Sequence, residues 1–161
     1  MRSLRTQIFS LLPILFAASL PVSGQVEKIA MRTTGISCGI CAGLSEVYFH
    51  RLPGIDQVKI SLRNEAIMLT YKPGAKFDAQ AIRKVLEPLK VGVLQFQIGA
   101  RGDVRESEGK RFLHAGKDRF LIRDTIGSPT LPVGTRLRIE GVLFDHATPV
   151  EVKVLTFQRL P

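Results

Sequence analysis

Val58-Lys59-Ile60-Ser61-Leu62-Arg63-Asn64-Glu65-Ala66-Ile67-Met68-Leu69-Thr70-Tyr71 is the stretch that decides the fold. Val58, Ile60 and Leu62 alternate with Lys59, Ser61 and Arg63, the period-two signature of a half-buried strand. Asn64-Glu65 supplies a tight turn, and Ile67, Leu69 and Tyr71 repeat the alternation on the way back. The stretch therefore reads as a β-hairpin. Upstream, residues 39–52 place Ala42, Ser45, Phe49 and Leu52 on one helical face, and Pro53-Gly54 stops the helix. Downstream, Pro73-Gly74 breaks the strand. Asp78 can then cap a second helix, whose apolar face is Ala81, Ile82, Val85, Leu86 and Leu89. Residues 26–32 and 91–98 supply the first and last strands of this unit. Strand, helix, hairpin, helix, strand is the ferredoxin-like βαββαβ arrangement, four antiparallel strands with two helices on one face.

Beyond Gly99 helical periodicity vanishes. Residues 102–107, 110–114, 119–123, 136–145 and 150–158 read as short strands. Glu108-Gly109 and Ala115-Gly116 read as hairpin turns, and residues 129–134 as a crossover loop. So many short strands predict a small all-β barrel with an OB-like Greek key, an extension of the first sheet being the rival. The expected class is α+β, with a ferredoxin-like domain over 25–99 and the OB-like barrel over 100–161.

Residues 1–24 precede both. Arg2 and Arg5 form a positive start, residues 8–20 are an apolar run, and Val22-Ser23-Gly24 offers small residues for cleavage. That predicts a secretory signal peptide, too short to span a bilayer comfortably, and hence a periplasmic or secreted protein at most peripheral to a membrane. Removing it takes away two arginines and no acid, so the formal charge of +9 becomes +7. The basic residues are dispersed and lack interleaved aromatics, which argues against a nucleic-acid partner. No nucleophile elbow, phosphate-cradling loop or acid–base pair emerges, so the chain does not read as an enzyme.

The chemistry lies in Cys38 and Cys41, the chain's two cysteines, set three apart where the first strand turns into the first helix. Thiolates so placed face one another at the positive end of a helix macrodipole. The pair suits a soft, low-coordinate ion, Cu(I) or Hg(II), whereas zinc usually takes four ligands. A reversible disulfide, with or without redox work, is the lesser reading of the same pair. His50, His114 and His146 are scattered and read as non-ligands, and Met31 and Met68 read as packing.

Gly35-Ile36-Ser37-Cys38-Gly39-Ile40-Cys41, then Glu46, Phe49, Leu52-Pro53-Gly54-Ile55 and the strand from Val58, continued by Tyr71-Lys72-Pro73-Gly74, resemble the heavy-metal-associated domain family over residues 26–98. That family includes copper chaperones, the metal-binding domains of copper-pumping ATPases and a periplasmic mercury-binding protein. The resemblance implies soft-metal binding at Cys38 and Cys41, one ion per chain, on a ferredoxin-like scaffold. Ile36 stands where the family usually has Met, an apolar exchange a loop tolerates. Lys90 falls near the position from which the family often sets a Lys or an aromatic beside the metal.

The chain therefore reads as an exported carrier that captures Cu(I) or Hg(II) and passes it to a partner, a membrane metal transporter or another metal-binding domain. A thiol–disulfide redox protein and an interaction module with a vestigial site are the alternatives. Leu44, Val47 and Tyr48 flank the cysteine loop, and the C-terminal strands are expected to cover them. Phe112, Phe120, Phe144 and Phe157 are expected to point into the second core.

Overall fold

The computed structural model describes residues 24–161, so the predicted signal peptide lies, but for Gly24, outside the described residues. The fold is α+β. The described elements run β1 (Gln25–Thr34), α1 (Gly39–His50), β2 (Ile55–Ser61), β3 (Ala66–Tyr71), α2 (Ala79–Leu86), β4 (Gly92–Ser107), β5 (Lys110–Ala115), β6 (Asp118–Ile122), β7 (Arg136–Phe144) and β8 (Glu151–Arg159).

In the first half the sheet order is β2-β3-β1-β4, antiparallel throughout. Register puts Met31 opposite Ile67 and Phe96, and Ile29 opposite Leu69 and Ile98, all on the helix-covered face. Helix α1 buries Ser45 and Phe49 against it, and α2 buries Ala79, Ile82 and Leu86. Asp78 caps α2, its Oδ1 accepting from the Ala81 N–H at 2.9 Å. Helix α2 ends at Leu86, and Glu87–Leu89 tightens into a 3₁₀ turn with Pro88 at its start. Proline lacks an N–H and clashes with the preceding turn, so it suits a helix boundary better than an interior.

The second half is not separated from the first by a break. Where the sequence predicts two strands, 91–98 and 102–107, β4 runs unbroken for 16 residues. Gly99, in the gap between those two predicted strands, and Gly102, the first residue of the second, both serve close approach. A Cβ on Gly102 would meet the His114 carbonyl oxygen, and one on Gly99 the aliphatic stem of Lys28. Glycine inside a strand marks such crossings as often as it marks a turn.

Along β4, one edge pairs with β1 and then β5, while the other pairs with β7 over Phe96 to Asp103. Pairing continues β5–β6, β6–β8 and β8–β7, so five strands close a hydrogen-bonded ring that shares β4 with the first sheet.

Val104, Leu113, Phe120, Leu137, Ile139 and Val152 fill the ring and join the first half's core as one cluster. Phe77, from the loop before α2, packs at 6.0 Å on Phe96 and 6.1 Å on Phe120, stitching the halves together. Its N–H donates to Asp118 Oδ2 at 3.0 Å. Burial raises the Asp118 pKa, although the Phe77 N–H and the charges of Lys76 and Lys117 pull the other way. Tyr71 nearby is also raised, by burial first and then by the charges of Asp118 and Asp78.

Two phenylalanines differ from expectation. Phe112 alternates with Leu113 and Phe144 with Leu143, so both point away from the core of the ring, Phe112 buried all the same and Phe144 half-buried. Arg119 covers Phe112 at 3.7 Å from the ring centroid, and Arg123 covers Phe144 at 4.6 Å. A guanidinium over a ring shields apolar surface that strand parity has pointed at water.

Candidate metal centre

The site is built where β1 hands over to α1. Thr33 is buried, and both its N–H and its hydroxyl donate to the Glu65 carbonyl at 2.8 Å, fixing the end of β1 to the β2–β3 turn. Gly35 then takes φ +85°, and a Cβ there would lie 2.9 Å from the Lys90 carbonyl oxygen. Only glycine accepts both the backbone conformation and the approach. Ile36, fully buried, anchors the loop in the core.

Cys38 is the N-cap of α1. Its backbone is extended (φ −120°, ψ 146°), its carbonyl accepts from the Ala42 N–H, and its Sγ accepts from the Cys41 N–H at 3.1 Å. A sulfur stands where Ser, Thr, Asp or Asn usually satisfies the free N–H groups of a helix start. The first turn of α1 carries no acidic residue, so a thiolate formed there on reduction would meet the positive end of the helix unopposed. Cys41 sits one turn along, and Ser45, buried beneath it, donates to the Cys41 carbonyl at 2.8 Å.

The two cysteines are joined as a disulfide, with their Cα atoms 5.3 Å apart. The pair that the sequence singles out is thus brought together, with Cys38 exposed and Cys41 half-buried. Among the described residues no cluster of three or more His, Cys, Asp or Glu side chains is placed to hold a metal ion. Among the described residues the soft donors at this loop are the two sulfurs, a set that on reduction would suit a low-coordinate soft ion better than a tetrahedral one. His50 lies 4.0 Å from Glu46, and His146 lies 3.9 Å from Asp145. His114 faces outward on β5, its pKa lowered by burial and by the charges of Arg105 and Arg119.

Lys90 meets the site through its backbone. It adopts the left-handed conformation at φ 55°, its carbonyl abuts Gly35, and its side chain is exposed. The C-terminal strands do not cover the flank of α1. Ile40, Leu44 and Val47 remain 78%, 41% and 49% exposed, because the ring grows from β4 while α1 packs near β2. What sequence reasoning missed is the contact between α2 and the β7–β8 turn. Arg83 and Asp145 meet there across 62 positions, with no local pattern to announce it.

No family model matches the chain. In sequence it is similar to Copper-transporting ATPase 2 of Homo sapiens, 28% identical over 138 residues that cover 77% of this chain and 9% of that protein. It is also similar to a probable copper-exporting P-type ATPase of Archaeoglobus fulgidus, 28% identical over 85 residues, covering 52% of this chain and 10% of that protein. The chain thus spans about a tenth of the length of these curated relatives. A solved CopZ metallochaperone aligns with a TM-score of 0.38 at 19% identity, covering 42% of this chain and 98% of that chain. The βαββαβ order, the C-x-x-C at the first strand–helix junction and sequence relatives named for copper transport together support the resemblance of part of this chain to the heavy-metal-associated domain.

Proposed function

We propose that the chain is a carrier that binds one Cu(I) between Cys38 and Cys41 and hands it to the thiols of a partner. The observation that carries the reading is the pair itself: two sulfurs drawn together at an exposed helix N-terminus, Cys38 serving as the cap. The sulfur pair alone suits Cu(I) and Hg(II) equally. The relatives are named for copper transport, which favours Cu(I) here.

Capture starts from the dithiol. The disulfide accepts two electrons and two protons from a thiol reductant, whose own sulfurs become a disulfide. Cu(I) then displaces both thiol protons, and the resulting bis-thiolate complex carries one negative charge, which the N-terminus of α1 offsets. Handover uses the exposed side at Cys38. An incoming thiolate adds to the ion before a resident sulfur leaves, so no free ion is released. The partner is a membrane metal transporter or another metal-binding domain, and the ring of strands is read as an OB-like docking or stabilising module. Export by the predicted signal peptide, to a periplasm or the exterior, belongs to the same proposal.

The disulfide with its exposed Cys38 gives the second reading, a thiol–disulfide redox protein, its own observation. Anaerobic titration separates the two. The reduced chain should take up one Cu(I), and Cys38→Ser should lose it. Uptake no greater than that of a chain with both cysteines changed to Ser contradicts the carrier reading, and catalysis of disulfide exchange by such a chain's wild-type counterpart would favour the second.

A further inference from the structure

Beside Phe77–Asp118, Lys28–Glu140 and Glu27–Arg138, one more polar contact joins the ring of strands to the first half, between α2 and the β7–β8 turn. Arg83, on α2, donates from Nε to Asp145 Oδ2 at 2.8 Å and from Nη2 to Asp145 Oδ1 at 3.1 Å. Its Nη1 donates to the Val93 carbonyl at 3.1 Å, and its guanidinium lies 5.1 Å from the Phe96 ring centroid. Asp145, at the end of β7, has a side chain only 5% exposed. One fork thereby ties α2, the start of β4 and the β7–β8 turn. Two parallel N–H···O bonds fix orientation as well as distance.

The N-terminal shoulder of the cysteine loop hangs from those elements at two points. Val93 pairs with Thr33 and Gly92 with Thr34, the last two residues of β1. A Cβ on Gly92 would meet Thr34 Oγ1 at 2.7 Å, so the approach is close. At the second point, Val91 donates to the Leu86 carbonyl at 3.2 Å, and Lys90 sets its carbonyl against Gly35. The path from Asp145 to Cys38 is therefore short: guanidinium, Val93 and the end of α2, then residues 33–36.

We infer that Arg83 and Asp145 are positioning residues for the metal loop, through which the C-terminal ring holds Cys38 and Cys41 in their binding arrangement. This rests on the carrier reading for what the loop binds, though not for the coupling itself. A loop held in place before the ion arrives loses less freedom on binding, which raises affinity without a new contact. Releasing the fork frees α2 from β4, lets residues 87–91 drift from Gly35, and loosens the cap at Cys38.

The test uses the full chain with Asp145→Asn and, as the conservative control, Asp145→Glu, with Arg83→Lys as a second route should Asp145→Asn fail to fold. Two readouts are taken: amide hydrogen exchange of the metal-free reduced protein, and the Cu(I) dissociation constant by competition with a chromogenic chelator. Asp145→Asn should speed exchange across residues 35–41 at least fivefold and weaken Cu(I) at least threefold, with β3 still protected. Asp145→Glu should recover most of both. Faster exchange confined to residues 83–93 and 145–150, with Cu(I) affinity unchanged, overturns the inference. Failure of the wild type to bind Cu(I) ends the carrier reading instead, and the exchange data still decide the coupling.

Discussion

Asp118 shows how one side chain at the seam can set a pH dependence. Burial raises its pKa, so the fold favours the neutral carboxyl. Stability from that preference is fully present below the ordinary aspartate range, around pH 4, and is lost as pH rises through the raised folded value. Asp118→Asn keeps an oxygen acceptor for the Phe77 N–H and removes the charge. The variant should gain on the wild type as pH climbs from the acid side, read as the difference in melting temperature across a pH series. Parallel profiles would show that the carboxylate is solvated after all. Asp145 runs in the opposite sense. Burial pushes its pKa up, but the hydrogen bonds and charge of Arg83 win and hold it below the usual value. Its contribution is present above the ordinary aspartate range and is lost as pH falls through the depressed folded value. Asp145→Asn should therefore destabilise at neutral pH, by roughly 3 kcal/mol for breaking a buried pair. The deficit, followed by urea unfolding, should shrink in acid; a deficit that does not change with pH would contradict the assignment. Residues of this kind were not legible in the sequence. The partners of Asp118 and Asp145 lie 41 and 62 positions away, and nothing local marks either acid as buried. Cys38 and Cys41 were legible because their geometry is local: three residues at a helix start bring two side chains together whatever the rest of the chain does.

Strand β4 is the element on which the architecture turns. Its first part completes the ferredoxin-like sheet and its second part opens the ring, so the two halves share hydrogen bonds as well as a core. The hairpin, both helices and the short C-terminal strands follow from periodicity and turn residues, which act over a few positions. The continuity of β4 does not, since Gly99 looks like punctuation until the Lys28 stem is seen beside it, and the role of Gly102 shows only beside the His114 carbonyl. Ring closure by β4 and β7 is equally hidden, because it pairs residues about forty positions apart on no local cue. That Phe112 and Phe144 point away from the ring's core was within reach of a stricter reading. Strand parity sets each against an inward leucine neighbour, and the covering arginines are Arg119 on β6 and Arg123 just past its end. Gly102→Ala probes the crossing. The new methyl must displace backbone at His114, so it should cost roughly 1–3 kcal/mol, as overpacking does. A urea midpoint equal to that of the wild type would mean that β4 and β5 can separate freely there.

At the scale of the whole molecule, a shared strand and a single core predict one cooperative unit. Both tyrosines, Tyr48 and Tyr71, lie in the first half, whereas far-ultraviolet circular dichroism reports the strands of both. Tyrosine fluorescence and circular dichroism should therefore trace coincident denaturation curves. Separate transitions would instead describe two domains that merely share a chain. Unity matters for the carrier, because the ring can hold the cysteine loop only while it stays attached to β4 and α2.

Central to all of this is the sulfur pair at the start of α1 and its fitness for a low-coordinate ion. The most direct measurement is mass spectrometry of the intact reduced chain, titrated anaerobically with Cu(I) beside Cys38→Ser and Cys41→Ser. One copper per chain on the wild type, and none retained on either variant, is the expected result. A wild type that takes up no more copper than the variants would contradict the account.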